Sequence, residues 1–153
     1  MEIERKYLVR TLPSDIGSCQ YVDIEQGYLC TSPTLRIRKM GDACILTVKE
    51  KVHTGSSAIV NREEEFYMSK ESYDQLRSKC VGTLISKTRY SIPLDGGLVA
   101  ELDIFHLNHE GLVLVEVEFP TETAADAFVP PSWFGADVSA DSRYRNSFLA
   151  LNG

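Results

Sequence analysis

The sequence predicts an α+β fold, a closed eight-stranded antiparallel β-barrel with a few short helices packed outside. Three observations predict it. Most of the chain alternates apolar and polar residues with period two, turn signals separate the alternating runs, and only two or three short stretches carry helical spacing. The 153 residues fit one domain, 1–153, and 43% are apolar, enough for a core without disulfides.

Taken in order, Glu2–Val9 is the first strand, and a weaker pattern around Asp23–Cys30 is the second. Thr34–Lys39 follows a Ser-Pro turn signal, and Gly41-Asp42 turns it into Ala43–Lys51 as a hairpin. His53–Ser57 is a polar loop, and Ile59–Met68 is a strand. Ser69 can cap a helix with Glu71 in its first turn and Tyr73, Leu76 and Cys80 on one face, ended by Gly82. Strands resume at Leu84–Pro93, at Leu98–His106 after Asp95-Gly96-Gly97, and at Leu112–Phe119 after Asn108–Gly111. Thr121 or Thr123 can cap a short helix before Pro130-Pro131. A last helix from about Asp141 places Tyr144, Phe148 and Leu151 on one side.

The net charge of −6 argues against a broad nucleic-acid footprint, yet a local basic cluster can still bind a small anion. Cys19, Cys30, Cys44 and Cys80 show no C-x-x-C spacing and read as reduced thiols. The N-terminus lacks a basic n-region and an apolar h-region, and no apolar run reaches about 18 residues, so neither a signal peptide nor a membrane span is expected. The expectation is a cytoplasmic protein, with a homodimer left open as its assembly. No phosphate-binding glycine-rich motif is present. His53, His106 and His109 are not spaced as ligands, and Trp133 reads as a packing anchor.

The informative feature is the placement of charge. Nearly every strand carries a charged pair at i and i+2, on one face, and the pairs are sorted by sign. Glu2 and Glu4 precede Lys6. Arg36 pairs with Arg38, Lys49 with Lys51, Glu63 with Glu65, Lys87 with Arg89, Glu101 with Asp103, and Glu116 with Glu118. A solvated outer face accommodates charge, but like-signed neighbours repel and serve a purely structural surface poorly. They suit an inverted barrel, whose carboxylates hold a hard divalent cation and whose Arg and Lys residues hold phosphate oxygens. Such a barrel turns its apolar residues outward under helices.

The motifs Glu2-x-Glu4-x-Lys6, Leu35-Arg36-Ile37-Arg38, Leu46-Thr47-Val48-Lys49, Arg62-Glu63-Glu64-Glu65, Lys87-x-Arg89, Glu101-Leu102-Asp103 and Val115-Glu116-Val117-Glu118 follow one another in this order. With Gln26-Gly27-Tyr28-Leu29 and the tail Asp141-x-Arg143-Tyr144-x-Asn146, they resemble the CYTH superfamily of triphosphate tunnel metalloenzymes, in its short single-domain bacterial form. The resemblance implies metal-dependent hydrolysis of a triphosphate, foremost inorganic triphosphate, with Mg2+ or Mn2+. It also admits thiamine triphosphatase or adenylate cyclase activity of the fourth class; a non-catalytic polyphosphate binder remains a further alternative. The expected metal ligands are Glu2, Glu4, Glu63, Glu65, Asp103, Glu116 and Glu118. The expected phosphate ligands are Arg36, Arg38, Lys49, Lys51, Lys87 and Arg89. Lys6 and Tyr28 are the candidates for the reacting centre, with Lys6 read as either a phosphate ligand or a base. Glu64 should face outward with Phe66 and Met68.

Overall fold

A computed structural model describes residues 1–153. Eight antiparallel strands close a barrel: β1 (Glu2–Val9), β2 (Gln20–Thr31), β3 (Thr34–Met40), β4 (Ala43–Lys51), β5 (Ile59–Met68), β6 (Val81–Pro93), β7 (Val99–Phe105) and β8 (Val113–Glu118). Around the wall the order is β5-β4-β3-β2-β6-β7-β8-β1, and β5 pairs back to β1. That closing seam is short, running from Glu2↔Asn61 to Glu4↔Ile59. A ninth strand, β9 (Phe134–Asp137), takes the same edge of β1 further along, at Tyr7↔Asp137 and Val9↔Phe134. The β9 strand was absent from the expected elements; four residues, Phe-Gly-Ala-Asp, are too few to show alternation.

Three helices sit against this wall: α1 (Lys70–Arg77), α2 (Glu122–Ala127) and α3 (Asn146–Asn152). Ser69 caps α1 by accepting from the Ser72 N–H at 3.1 Å, and Thr121 caps α2 by accepting from the Ala124 N–H at 3.0 Å. Two apolar clusters lie outside the barrel. One joins Tyr7, Leu102, Val115, Val117 and Phe119 to Ala125 of α2 and Phe134 of β9. The other joins Ile37 and Cys44 to Tyr73 of α1, with Leu46, Met68 and Leu76 beside it. The outward apolar faces expected from alternation are therefore real, although Phe66, facing outward too, remains largely exposed.

A third cluster departs from expectation. Tyr28, Ile85, Phe105 and Leu114 pack with Val138 and Ala150, on the inward side. Their register places Ile85 opposite Gln26, Phe105 opposite Lys87 and Leu114 opposite Asp103, so they share the charged face. One end of the interior is thus apolar because α3 covers it. The face of α3 that packs is Leu149 and Ala150, while Phe148 and Leu151 are substantially exposed, contrary to the expected Phe148/Leu151 face.

Gly82 does not end α1, which stops at Arg77; it lies within β6. Its φ is +67°, and a Cβ there would run into the carbonyl oxygen of Ala150. Glycine is required where β6 passes under α3. Gly82→Ala should lower stability by about 2 kcal/mol or more, measured as a fall in Tm. Wild-type Tm would show that α3 does not press on this strand.

Candidate functional site: a charged tunnel

The barrel register sorts the inward side chains. Arg36 lies opposite Thr47 and Tyr28, Arg38 opposite Ile45 and Gln26, Lys49 opposite Glu63 and Thr34, and Glu65 opposite Thr47. Lys6 lies opposite Glu116, Glu4 opposite Glu118, Glu101 opposite Glu116, and Arg89 opposite Asp103. Glu64 pairs with Val48 on the outward face, which leaves Glu63 and Glu65 pointing in. Because β5 closes onto β1, the acidic strands β7, β8, β1 and β5 are contiguous. The basic strands β4, β3 and β6 are contiguous on the other side, with β2 among them. An acidic arc therefore faces a basic arc across the interior, and Lys6 is the cation set within the acidic arc.

Between the arcs lies a cavity of about 670 Å³. Glu2, Glu4, Lys6, Tyr28, Arg36, Arg38, Lys49, Lys51, Glu63, Lys87, Arg89 and Glu116 all line it. The remaining three expected residues are placed differently. Glu65 points inward but lies beyond this cavity, with its carboxylate accepting from Arg38 Nη2 at 2.9 Å. Glu118 is exposed at the barrel end, where it lines a second, open pocket with Glu101.

Asp103 is sealed from the cavity by its partners. It is 1% exposed, and Arg89 donates to it from Nε at 2.8 Å and from Nη2 at 2.9 Å. Lys87 Nζ lies 2.9 Å from the same carboxylate. Both oxygens of Asp103 are engaged, by Arg89 and Lys87. Burial works against its charge, but Arg89 and Lys87 hold its pKa below the ordinary value. Burial lowers the pKa of Lys87 to about 8, against the pull of Asp103.

Two residues beyond the expected set matter. Glu101 lines the cavity and accepts from Arg89 Nη1 at 3.0 Å. The alternation of β7 already put it beside Asp103, and only the sealed state of Asp103 shows which of the two is open. Asn61 faces the cavity beside the seam, opposite Lys51 and Glu2, where no charge marked it in the sequence.

The cations differ in how firmly they are held. Lys49 Nζ sits 2.8 Å from Glu2 and 3.6 Å from Glu63. Lys6 Nζ donates to the Tyr144 carbonyl at 3.0 Å and faces Glu116 at 3.8 Å. Arg36 makes no ion pair, and its buried Nε has no hydrogen-bond partner. Tyr28 is 2% exposed where the cavity meets the apolar layer, and its hydroxyl accepts from Gln26 Nε2 at 3.0 Å.

The carboxylates are unevenly matched as well. Glu4 is surrounded by protein, although the cavity leaves part of its surface accessible. Burial, then repulsion from Glu116, raise its pKa well above the ordinary value. Glu116 itself is pulled well below it: burial opposes ionisation, but Lys6 and Arg89 outweigh it. Glu2 Oε1 and Glu63 Oε2 are buried and share one cation, Lys49, whose Nζ is nearer to Glu2. These hard oxygen donors fit Mg2+ or Mn2+. No three carboxylates converge on one point. Mg2+ commonly takes one or two carboxylates plus substrate phosphates and water, so such convergence is not required.

A closed barrel whose interior opposes a basic arc to an acidic arc defines a polyanion-binding tunnel protein. No family model matches the chain. An inorganic triphosphatase of Nitrosomonas europaea is 41% identical over 99% of this chain and 97% of its own. Another, of Acetivibrio thermocellus, is 34% identical over 99% and 94%. The crystal structure of the inorganic triphosphatase NE1496 superposes with TM-score 0.73 at 40% identity, covering 100% of this chain and 96% of that one. A putative adenylyl cyclase from Hippeastrum, 15% identical over 82% of this chain and 83% of that one, has TM-score 0.65 and shares the fold alone. The chain belongs to the inorganic triphosphatase family.

The Glu4–Glu116 contact has a measurable consequence. A carboxyl whose folded pKa is raised above its ordinary 4.5 destabilises the fold increasingly as pH climbs above that value. In metal-free protein, Glu4→Gln should therefore raise Tm at pH 8, and the gain should vanish as pH falls towards 4.5. A lower Tm at pH 8 would mean that Glu4 is favourably paired.

Proposed function

We propose that this chain is a short tunnel metalloenzyme of the CYTH type, hydrolysing inorganic triphosphate with Mg2+ or Mn2+. The observation that carries this reading is the opposition of the two arcs across one cavity. A triphosphate bound to a divalent cation needs positive partners for its oxygens and carboxylates for its metal at once. The 41% identity to an inorganic triphosphatase along nearly the whole chain supports the same substrate.

Arg36 is available to phosphate, since it lines the cavity and its buried Nε has no hydrogen-bond partner. Arg38 lies two residues along the same strand, and burial, then the nearby positive charge of Arg36, lower its pKa to about 10. A polyanion arriving beside them offsets the repulsion between the two guanidiniums. Lys49, Lys51, Lys87 and Arg89 surround the remaining oxygens, and Lys6 reaches the same space from the acidic arc. Glu2, Glu63, Glu4 and Glu116 are the residues that would hold a metal. A bound divalent cation supplies charge neutralisation on the phosphates and a more acidic water. The protein's own share is positioning: phosphoryl transfer asks for little covalent chemistry and gains most from fixed charge. Tyr28, at the floor of the cavity, would orient a terminal phosphate or water.

Cyclase or thiamine triphosphatase activity is less well supported. Tyr28 is the only Phe, Tyr or Trp lining the cavity, and it is 2% exposed, so the cavity offers a nucleobase or thiamine ring no large aromatic platform. A purely non-catalytic polyphosphate binder leaves the acidic arc without a purpose.

Pure protein with Mg2+ or Mn2+ should release orthophosphate from tripolyphosphate far faster than from ATP or thiamine triphosphate. No turnover of tripolyphosphate with either metal would overturn the proposal. Arg36→Ala should weaken tripolyphosphate binding about ten- to a hundred-fold, the loss of a charge-assisted contact. An unchanged KM and kcat would show that Arg36 is not a phosphate ligand.

A further inference from the structure

Arg5 stands between two tunnel residues, Glu4 and Lys6, but points the other way, out through the wall. Only 8% exposed, it spends its guanidinium on four groups. Nε donates to the Ala125 carbonyl at 2.8 Å, Nη1 to Asp137 at 3.2 Å, and Nη2 to both Asp126 at 3.2 Å and Ser57 Oγ at 2.8 Å. Ala125 and Asp126 belong to α2, and Asp137 to β9. Ser57 belongs to the β4–β5 loop, which lies at the cavity.

The loop is tied down a second time. Ser56 Oγ accepts from the Ala58 N–H at 3.1 Å and donates to Asp126 at 3.1 Å. His53, Thr54, Ser56 and Ser57 all line the cavity, and Ser57 itself is exposed. A guanidinium has donors only, so Ser57 Oγ must be the acceptor in its bond with Arg5. Its own O–H is therefore left to donate elsewhere, and no protein group takes it. Accepting from a cation also polarises the hydroxyl and makes it a stronger donor.

We propose that Ser57 is an additional substrate-binding residue, donating its hydroxyl to a phosphate oxygen at the edge of the cavity, and that Arg5 is the positioning residue that fixes and polarises it. The inference rests on the reading of the tunnel as a triphosphate site. It extends that site from the barrel wall to the β4–β5 loop and makes the outer shell, α2 and β9, part of how substrate is held.

Steady-state kinetics on tripolyphosphate with Mg2+ test it, with Tm measured alongside. Ser57→Ala should raise KM about three- to ten-fold, the scale of one ordinary hydrogen bond at a water-exposed position, with little change in kcat. Ser57→Thr keeps the hydroxyl and should restore most of the KM. Asp126→Ala, which releases Ser56 and removes one of the two acceptors of Arg5 Nη2, should raise KM in the same direction. Arg5→Ala should raise KM further; should it fail to fold, the Ser57 pair still decides. An unchanged KM in Ser57→Ala, with wild-type turnover intact, overturns the proposal. So does a fall in Tm with a matching loss of kcat and no KM effect. Absence of turnover in the wild type sinks the triphosphatase reading instead, and is thereby distinguished.

Discussion

The opposition of acidic and basic arcs inside a closed wall is the constraint on which the rest of the molecule depends. Charges held inside a barrel lose part of their hydration and must be repaid by partners. Arg89 and Asp103 satisfy each other fully, and Lys49 is shared between Glu2 and Glu63. Arg36 is not satisfied, and Glu4 is pressed against Glu116. On the proposed function, a metal on the acidic arc and a polyanion on the basic arc would complete the set and make these mismatches tolerable.

That arrangement inverts the usual economy of a β-barrel. With the interior given over to charge, apolar burial has to come from elsewhere. The outer faces of β1, β7 and β8 are covered by α2 and β9, and those of β3 and β4 by α1. The inner apolar layer around Ile85, Phe105 and Leu114, under α3, closes one end. Tyr28 belongs to both worlds, with its ring in that layer and its edge on the cavity. Arg5 ties the covering elements to the loop at the cavity, so shell and site are mechanically one structure.

Much of this was legible before any coordinates, for a physical reason. Alternation with period two fixes which residues share a face, and like-signed pairs such as Arg36/Arg38 make little sense on an ordinary surface. The same argument separated Glu63 and Glu65 from Glu64. What period could not reveal was the partner of each charge. Asp103 and Glu101 are equivalent by alternation, and only the approach of Arg89 and Lys87 seals one and leaves the other open. Nor could it reveal where the inward face turns apolar, since Ile85 and Lys87 lie on the same face two residues apart. Nothing in the sequence distinguishes Arg5 from the other charges of its strand. The short β9, and the face of α3 that packs, depend on contacts distant in sequence.

The central claim is that the tunnel is incomplete until an anion and a cation fill it together. Thermal unfolding of the metal-free protein, titrated with tripolyphosphate, with Mn2+, and with both, tests it most directly. A ligand that binds only the folded state raises stability by about 2.7 kcal/mol at a hundred-fold excess over its Kd. The account predicts a rise in Tm with tripolyphosphate alone, carried by the basic arc, and a further rise with Mn2+ present that exceeds the sum of the two separate shifts. A Tm indifferent to tripolyphosphate, with or without Mn2+, would contradict it.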